Sequence, residues 1–148
     1  MKPTDLVGTW SLEGFTAKGA DGTVVLPFGD APKGLITYTA AGYMAAVLMR
    51  SGRTKFESSD ALAGTPEEIK EAFEGFEAYA GRYEVDEDAN IVTHYAEVAR
   101  FPNWENSPQV RYATMLGALL HLSTPEIAAA GQTWVATLSW RKAGTGEA

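Results

Sequence analysis

The chain contains no cysteine. That absence removes thiol nucleophiles, disulfide frameworks and thiolate metal sites together. Basic charge is also scarce: 12 Lys and Arg stand against 19 Asp and Glu, a net charge of −7. A phosphate-backbone binder needs a basic face, so no nucleic-acid partner is expected, and an anionic membrane surface is equally unsuited. Histidine is limited to two remote positions, His94 and His121. With no ligand spacing between them, no metal site is expected. The acidic cluster Asp86, Glu87, Asp88 lacks the spaced ligands and closing Glu of a calcium loop and reads as a solvated turn.

Long apolar runs are missing too. No stretch approaches the roughly 18 apolar residues of a membrane span. The opening MKPTDLVGTW holds no apolar segment of the kind a signal peptide requires. The expected compartment is the cytoplasm. G-x-S-x-G, a P-loop and a dinucleotide fingerprint are all absent, so hydrolase and nucleotide-dependent readings lose their support and no cofactor is expected.

What is present is one domain's worth of β-forming sequence: 148 residues, 15 of them glycine, 11% aromatic and 45% hydrophobic. A chain of this size buries a sufficient core without staples. Leu6 to Thr16 alternates as a first strand, with Trp10 and Leu12 on one face and Phe15 on the other. Thr23 to Phe28 is a short β-rich run, and Lys33 to Thr39 and Gly42 to Arg50 form a hairpin about Ala40-Ala41. Ser51 to Gly64 is polar and reads as a long loop of the kind that carries a lid.

Thr65, Pro66 and Glu68 supply an N-cap, a first-turn proline and a capping-box partner. Ile69, Ala72, Phe73, Phe76 and Ala80 continue at helical spacing, which predicts one helix over 66–80 stopped by Gly81. Strands follow at Gly81 to Asp86, Ile91 to Arg100, Gln109 to Leu116, Leu119 to Thr124 and Gln132 to Lys142, with loops at Phe101 to Pro108 and Pro125 to Gly131. The prediction is an all-β domain over 1–142. It is a closed antiparallel up-and-down β-barrel of eight or nine strands with one inserted helix, followed by a frayed tail at 143–148.

Gly8-Thr9-Trp10 on the first strand resembles the G-x-W signature of lipocalins. More of the chain is similar to the bacterial and fungal lipocalin-like domain family. The matching blocks are LVGTW at 6–10, KGLITYTAAGYMAAVLMR at 33–50, LAGTPEE at 62–68, YEVDE at 83–87, VTH at 92–94, FPNW at 101–104 and QVRY at 109–112. The resemblance implies a lipocalin-like barrel in which Trp10 plugs one end beneath a basic residue of the last strand, Arg141 or Lys142. Of function it implies binding or isomerising roles, without choosing between them.

Several side chains are candidates for the interior. His94 lies between Val92 and Ala96 on the apolar face of its strand. It is either a satisfied core histidine or a group that contacts a ligand or moves a proton. Arg111 is either an inward cation in need of a carboxylate or enolate, or an outward one paired with Glu97 or Glu84; the alternation of Gln109 to Leu116 fits both. Tyr38, Tyr43, Tyr83 and Trp134 suit a pocket wall, since each packs at one end and hydrogen-bonds at the other. Trp104 lies in a loop that can fold over the mouth. Trp10 and Trp140 read as closing packing.

Two functions from different classes fit this pattern. The first is a carrier of a small hydrophobic or aromatic molecule. The second is a cofactor-independent isomerase or cyclase with His94 and Arg111 as catalytic residues. A homodimer is left open by the sequence, and an interaction role for the acidic outer face fits it least.

Overall fold

The structure is a computed structural model that describes residues 1–144. Of the tail expected at 143–148, residues 145–148 lie outside the described part. Two α-helices and ten strands follow in order: α1 (Pro3–Leu6), β1 (Gly8–Gly19), β2 (Val24–Val25), β3 (Lys33–Tyr38), β4 (Tyr43–Met49), α2 (Pro66–Glu74), β5 (Phe76–Asp86), β6 (Ile91–Ala99), β7 (Ser107–Leu116), β8 (Leu119–Ser123), β9 (Ile127–Ala129) and β10 (Gln132–Lys142), with a 3₁₀ turn at Pro102–Trp104. Each main strand pairs antiparallel with its neighbour, and β1 pairs with β10 to close the sheet. Eight strands make the barrel. The short β2 and β9 extend β1 and β10 outside it. An eight-strand barrel leaves an interior just wide enough for side chains or one small ligand.

One end is plugged by the first residues of the chain. Leu6 is fully buried and Met1 packs on the core. The Trp10 indole donates to the Leu6 carbonyl at 2.8 Å, while the Lys142 ammonium sits 5.3 Å from the Trp10 ring centre. Lys142 is therefore the basic cover expected over this tryptophan. Arg141 faces out and pairs with Glu13 at 2.8 Å.

The helix is shorter than its apolar spacing predicts. Thr65 caps it, with its hydroxyl accepting from the Glu68 N–H at 3.2 Å and the Glu68 carboxylate accepting from the Thr65 N–H at 2.9 Å. It ends at Glu74 rather than at residue 80. The Gly75 N–H closes the last turn on the Glu71 carbonyl, and the Gly75 carbonyl accepts from the Arg50 N–H, which hands the chain to the sheet. Phe76 then pairs with Met49, and β5 runs eleven residues. Gly81, expected as the helix stop, sits instead at a β-bulge opposite β6. A Cβ there would lie 1.9 Å from the Tyr95 carbonyl oxygen, so only glycine fits.

A second bulge between Leu12 and Gly14 shifts the register of β1 against β10. It turns Phe15 inward, although strict alternation from Trp10 and Leu12 predicts the outer face. The core fills the barrel's lower half around Trp10, Ile36, Val92, Leu120 and Trp140.

Candidate functional site

Above that core lies a cavity of about 370 Å³, within the usual range for small-molecule sites. Phe15, Phe28, Leu122, Ala136, Leu138 and Trp140 supply its apolar wall. Tyr79, His94, Trp104, Gln109, Arg111 and Thr124 supply the polar groups.

His94 is inward and fully buried. Its Nε2 is 2.7 Å from the Tyr38 hydroxyl and its Nδ1 is 2.8 Å from the Tyr79 hydroxyl. Both ring nitrogens are thus occupied by tyrosines from opposite sides. Burial, assisted by the nearby Arg111 charge, lowers the His94 pKa from 6.5 to about 3, so the imidazole is neutral. Burial also raises the Tyr38 phenol well above its ordinary value. The like effect on Tyr79 is opposed by Arg111, and both tyrosines stay protonated.

Arg111 points inward from β7, as Ala113 does, while Tyr112 is exposed on the other face. Of its two open orientations, the structure takes the inward one. Its Nη1 donates to the Val110 carbonyl at 2.8 Å. Among the described residues no carboxylate lies within ion-pairing distance of it; Glu84 bonds the Tyr95 hydroxyl and Glu97 pairs with Arg82. A buried guanidinium carries five donors and no acceptor, so this one remains largely unmatched.

At the mouth, Arg100 pairs with Glu77 at 2.7 Å, half-buried, and donates to the Phe73 carbonyl at 3.0 Å. Its guanidinium also stands 3.9 Å from the Phe73 ring centre. These contacts fasten α2 to the rim. Trp104, from the 3₁₀ turn, stacks edge-on against Tyr79 and Phe101, so one aromatic ladder runs from the rim to the His94 cluster.

The other expected pocket residues lie elsewhere. Tyr83 is buried behind the cluster, T-stacked on Tyr38 at 4.9 Å, and donates to the Thr39 carbonyl. Tyr43 is on the outer face, 46% exposed, with Arg82 against its ring and hydroxyl. Trp134 shares the parity of Ala136 and Leu138. It lies beyond the cavity, beside Lys18 and Gly19, and its indole donates to Ala129 within its own hairpin.

The structure therefore brings His94, Arg111 and Trp104 to the cavity and places Tyr38 directly behind them. It adds Tyr79, Phe15 and Trp140, which the sequence reading left outside the site. Helical spacing that runs on to Ala80 hides Tyr79, and the β1 bulge hides Phe15. Trp140, expected as closing packing, also lines the cavity. Among the described residues no three His, Asp or Glu side chains are grouped as a metal site would require. No helix in this part is long and apolar enough to cross a membrane.

The chain is similar to known proteins. The 4'-hydroxy-3'-methoxypropiophenone carrier protein of Aspergillus oryzae is 34% identical over 106 residues, 67% of this chain and 96% of that protein. A lipocalin-like protein from Bacteroides uniformis, solved by crystallography, aligns over 94% of this chain and 99% of its own, with a TM-score of 0.47 and 16% identity. Residues 7–143 match the sequence profile described as a lipocalin-like domain. With β1 through β10 inside the matched segment, the chain belongs to the lipocalin-like domain family.

Proposed function

We propose that this protein is a cytoplasmic carrier that holds a small aromatic molecule in the barrel cavity. The observation that carries the reading is the cavity: plugged below, walled by apolar side chains, and supplied with a few polar groups on one side. Its volume suits a single substituted ring. The relative from Aspergillus oryzae, named as a carrier of an acylphenone, supports the same class of ligand. Trp104 and Tyr79 offer edges and faces to such a ring. Arg111, with His94 behind Tyr79, sets its polar end.

The isomerase or cyclase reading has one observation in its favour, a buried cation beside a phenol in the same cavity. His94 weighs against it. A general base works best with a pKa near the operating pH and a free nitrogen within reach of the substrate. Here the pKa falls to about 3 and both nitrogens are engaged. His94 is better suited to fixing the two tyrosines than to taking a proton.

The test is a titration of the protein with 4'-hydroxy-3'-methoxypropiophenone, followed by quenching of tryptophan fluorescence and by native mass spectrometry. One molecule bound per chain, with binding abolished in Ala136→Phe at unchanged fold, is the expected result. Failure of this and related aryl ketones to bind, or binding that Ala136→Phe leaves intact, refutes the carrier reading.

A further inference from the structure

The buried cluster of Tyr38, His94 and Tyr79 holds one hydrogen more than its own bonds use. Neutral His94 has one N–H and one bare nitrogen, and each tyrosine has one O–H. Two hydrogen bonds, at 2.7 and 2.8 Å, join the three groups and use two of the three hydrogens. One hydrogen is left over, on Tyr38 or on Tyr79.

The Tyr38 hydroxyl is sealed in the core and has no other partner among the described residues. A hydrogen left there would be a buried, unmatched donor, which is costly. The favoured arrangement therefore has Tyr38 donating to Nε2 and Nδ1–H donating to Tyr79. That frees the Tyr79 hydrogen, on a side chain that lines the cavity. Arg111 stands close enough to Tyr79 to influence its phenol, but it has no acceptor atoms and cannot take this hydrogen.

Two more donors belong to side chains of the same cavity wall. Arg111 has a single backbone acceptor and no ion-pair partner among the described residues. The Trp140 Nε1–H is buried without any acceptor, on a side chain that also lines the cavity. Two carboxylates stand at the rim, and neither reaches Arg111: Glu77 is committed to Arg100 and Glu74 to Lys70. The cavity interior thus offers donors and one positive charge and lacks a matching anion.

We infer that the cavity takes its aromatic ligand as an oxyanion, a ring-borne phenolate or carboxylate whose charged oxygen is held by Arg111 and the free Tyr79 hydrogen. This rests on the carrier reading and adds the ionisation state of the cargo. A phenol that binds in this form gives up its proton to solvent, and charge-assisted bonds of this type are the strong ones.

The experiment uses three probes of nearly one shape: 4-nitrophenol, 4-nitrobenzoate and neutral 4-nitroanisole. Binding is measured below the pKa of free 4-nitrophenol, where the yellow phenolate is a minor species. The expected result is that at least one anionic probe binds about tenfold or more tightly than nitroanisole. If phenolate is the preferred source, bound 4-nitrophenol shows the phenolate spectrum, its pKa lowered by about one unit or more. If carboxylate is preferred, nitrobenzoate leads.

Arg111→Met should abolish the preference and keep nitroanisole binding, which also reports that the variant folds. Tyr79→Phe should reduce the preference in part. Equal binding of all three probes, with bound 4-nitrophenol still protonated, overturns the oxyanion inference and leaves the carrier reading standing. Failure of every probe to bind overturns both.

Discussion

Removing the buried, uncharged histidine should flatten the acid side of the stability curve. In the folded chain His94 has a pKa near 3, whereas its ordinary value is 6.5. Its folded pKa is depressed, so the unfolded chain binds the proton more readily. The stability due to the neutral imidazole is full above pH 6.5 and is lost as the pH falls from there toward 3. Between pH 7 and pH 5 the unfolded chain gains about 0.7 of a proton at this site and the folded chain almost none. The difference integrates to about 2 kcal/mol, a large part of the ~5–15 kcal/mol available to a domain.

The window is clean with respect to the two carboxyls held below their ordinary values, Asp21 by Thr23 and Glu68 by the Thr65 and Glu57 amides. Their contributions persist above 3.8 and 4.5 and are lost only at lower pH. The assay is urea unfolding at pH 7, 6 and 5 of the wild type and of His94→Gln, which keeps one donor and one acceptor. The wild type should lose about 2 kcal/mol more than the variant across this range. Imidazole NMR resonances of the wild type give the same answer without any substitution. Equal losses in the two proteins, or a His94 resonance that titrates near 6.5 in the folded state, would refute the burial argument.

Other perturbations test separate parts of the fold. Gly81→Ala forces a Cβ against the Tyr95 carbonyl and should cost on the order of 3 kcal/mol in chemical denaturation. Thr65→Ala removes the cap of α2 and should cost about 1 kcal/mol, seen as a lower urea midpoint with an unchanged slope. Trp104→Ala removes the edge-on partner of Tyr79 at the rim and should weaken aryl ketone binding by about tenfold in a fluorescence titration. Tyr43→Ala, on the outer face, should leave that affinity unchanged.

The barrel and most of its strands were legible because alternation and turn chemistry agree over long stretches. LSW at 138–140 and VTH at 92–94 leave little doubt about which face is apolar, and the Thr65–Glu68 box marks the start of α2 unambiguously. The end of α2 was not legible. Phe76 and Ala80 continue a helical stripe while Tyr79, Gly81 and Tyr83 also alternate as a strand, and only pairing of Phe76 with Met49 decides between the two. That ambiguity conceals Tyr79, a tyrosine of the cavity wall.

Arg111 was undecidable for a related reason: Val110 and Tyr112 are as plausible inside as Arg111 and Ala113 until register with β6 is fixed. The bulge in β1 falls at Gly14, the one residue that marks it, while the alternation on either side runs on unbroken and predicts Phe15 on the outer face. Trp134 shows the opposite limit. Its parity is inward, but parity does not say how far along the barrel a side chain stands.

Closure through β1 and β10 has a kinetic meaning. Trp10 pairs with Lys142, so the seam joins residues at nearly opposite ends of the matched domain, a separation that makes closure a slow, late event. Ala136, Leu138 and Trp140 on β10 form one wall of the cavity. Until β10 docks, the strands that carry the His94 cluster and Arg111 lack that wall and enclose no cavity. A ligand that bridges both sides should therefore accelerate the final step of refolding and leave the earlier ones unaffected.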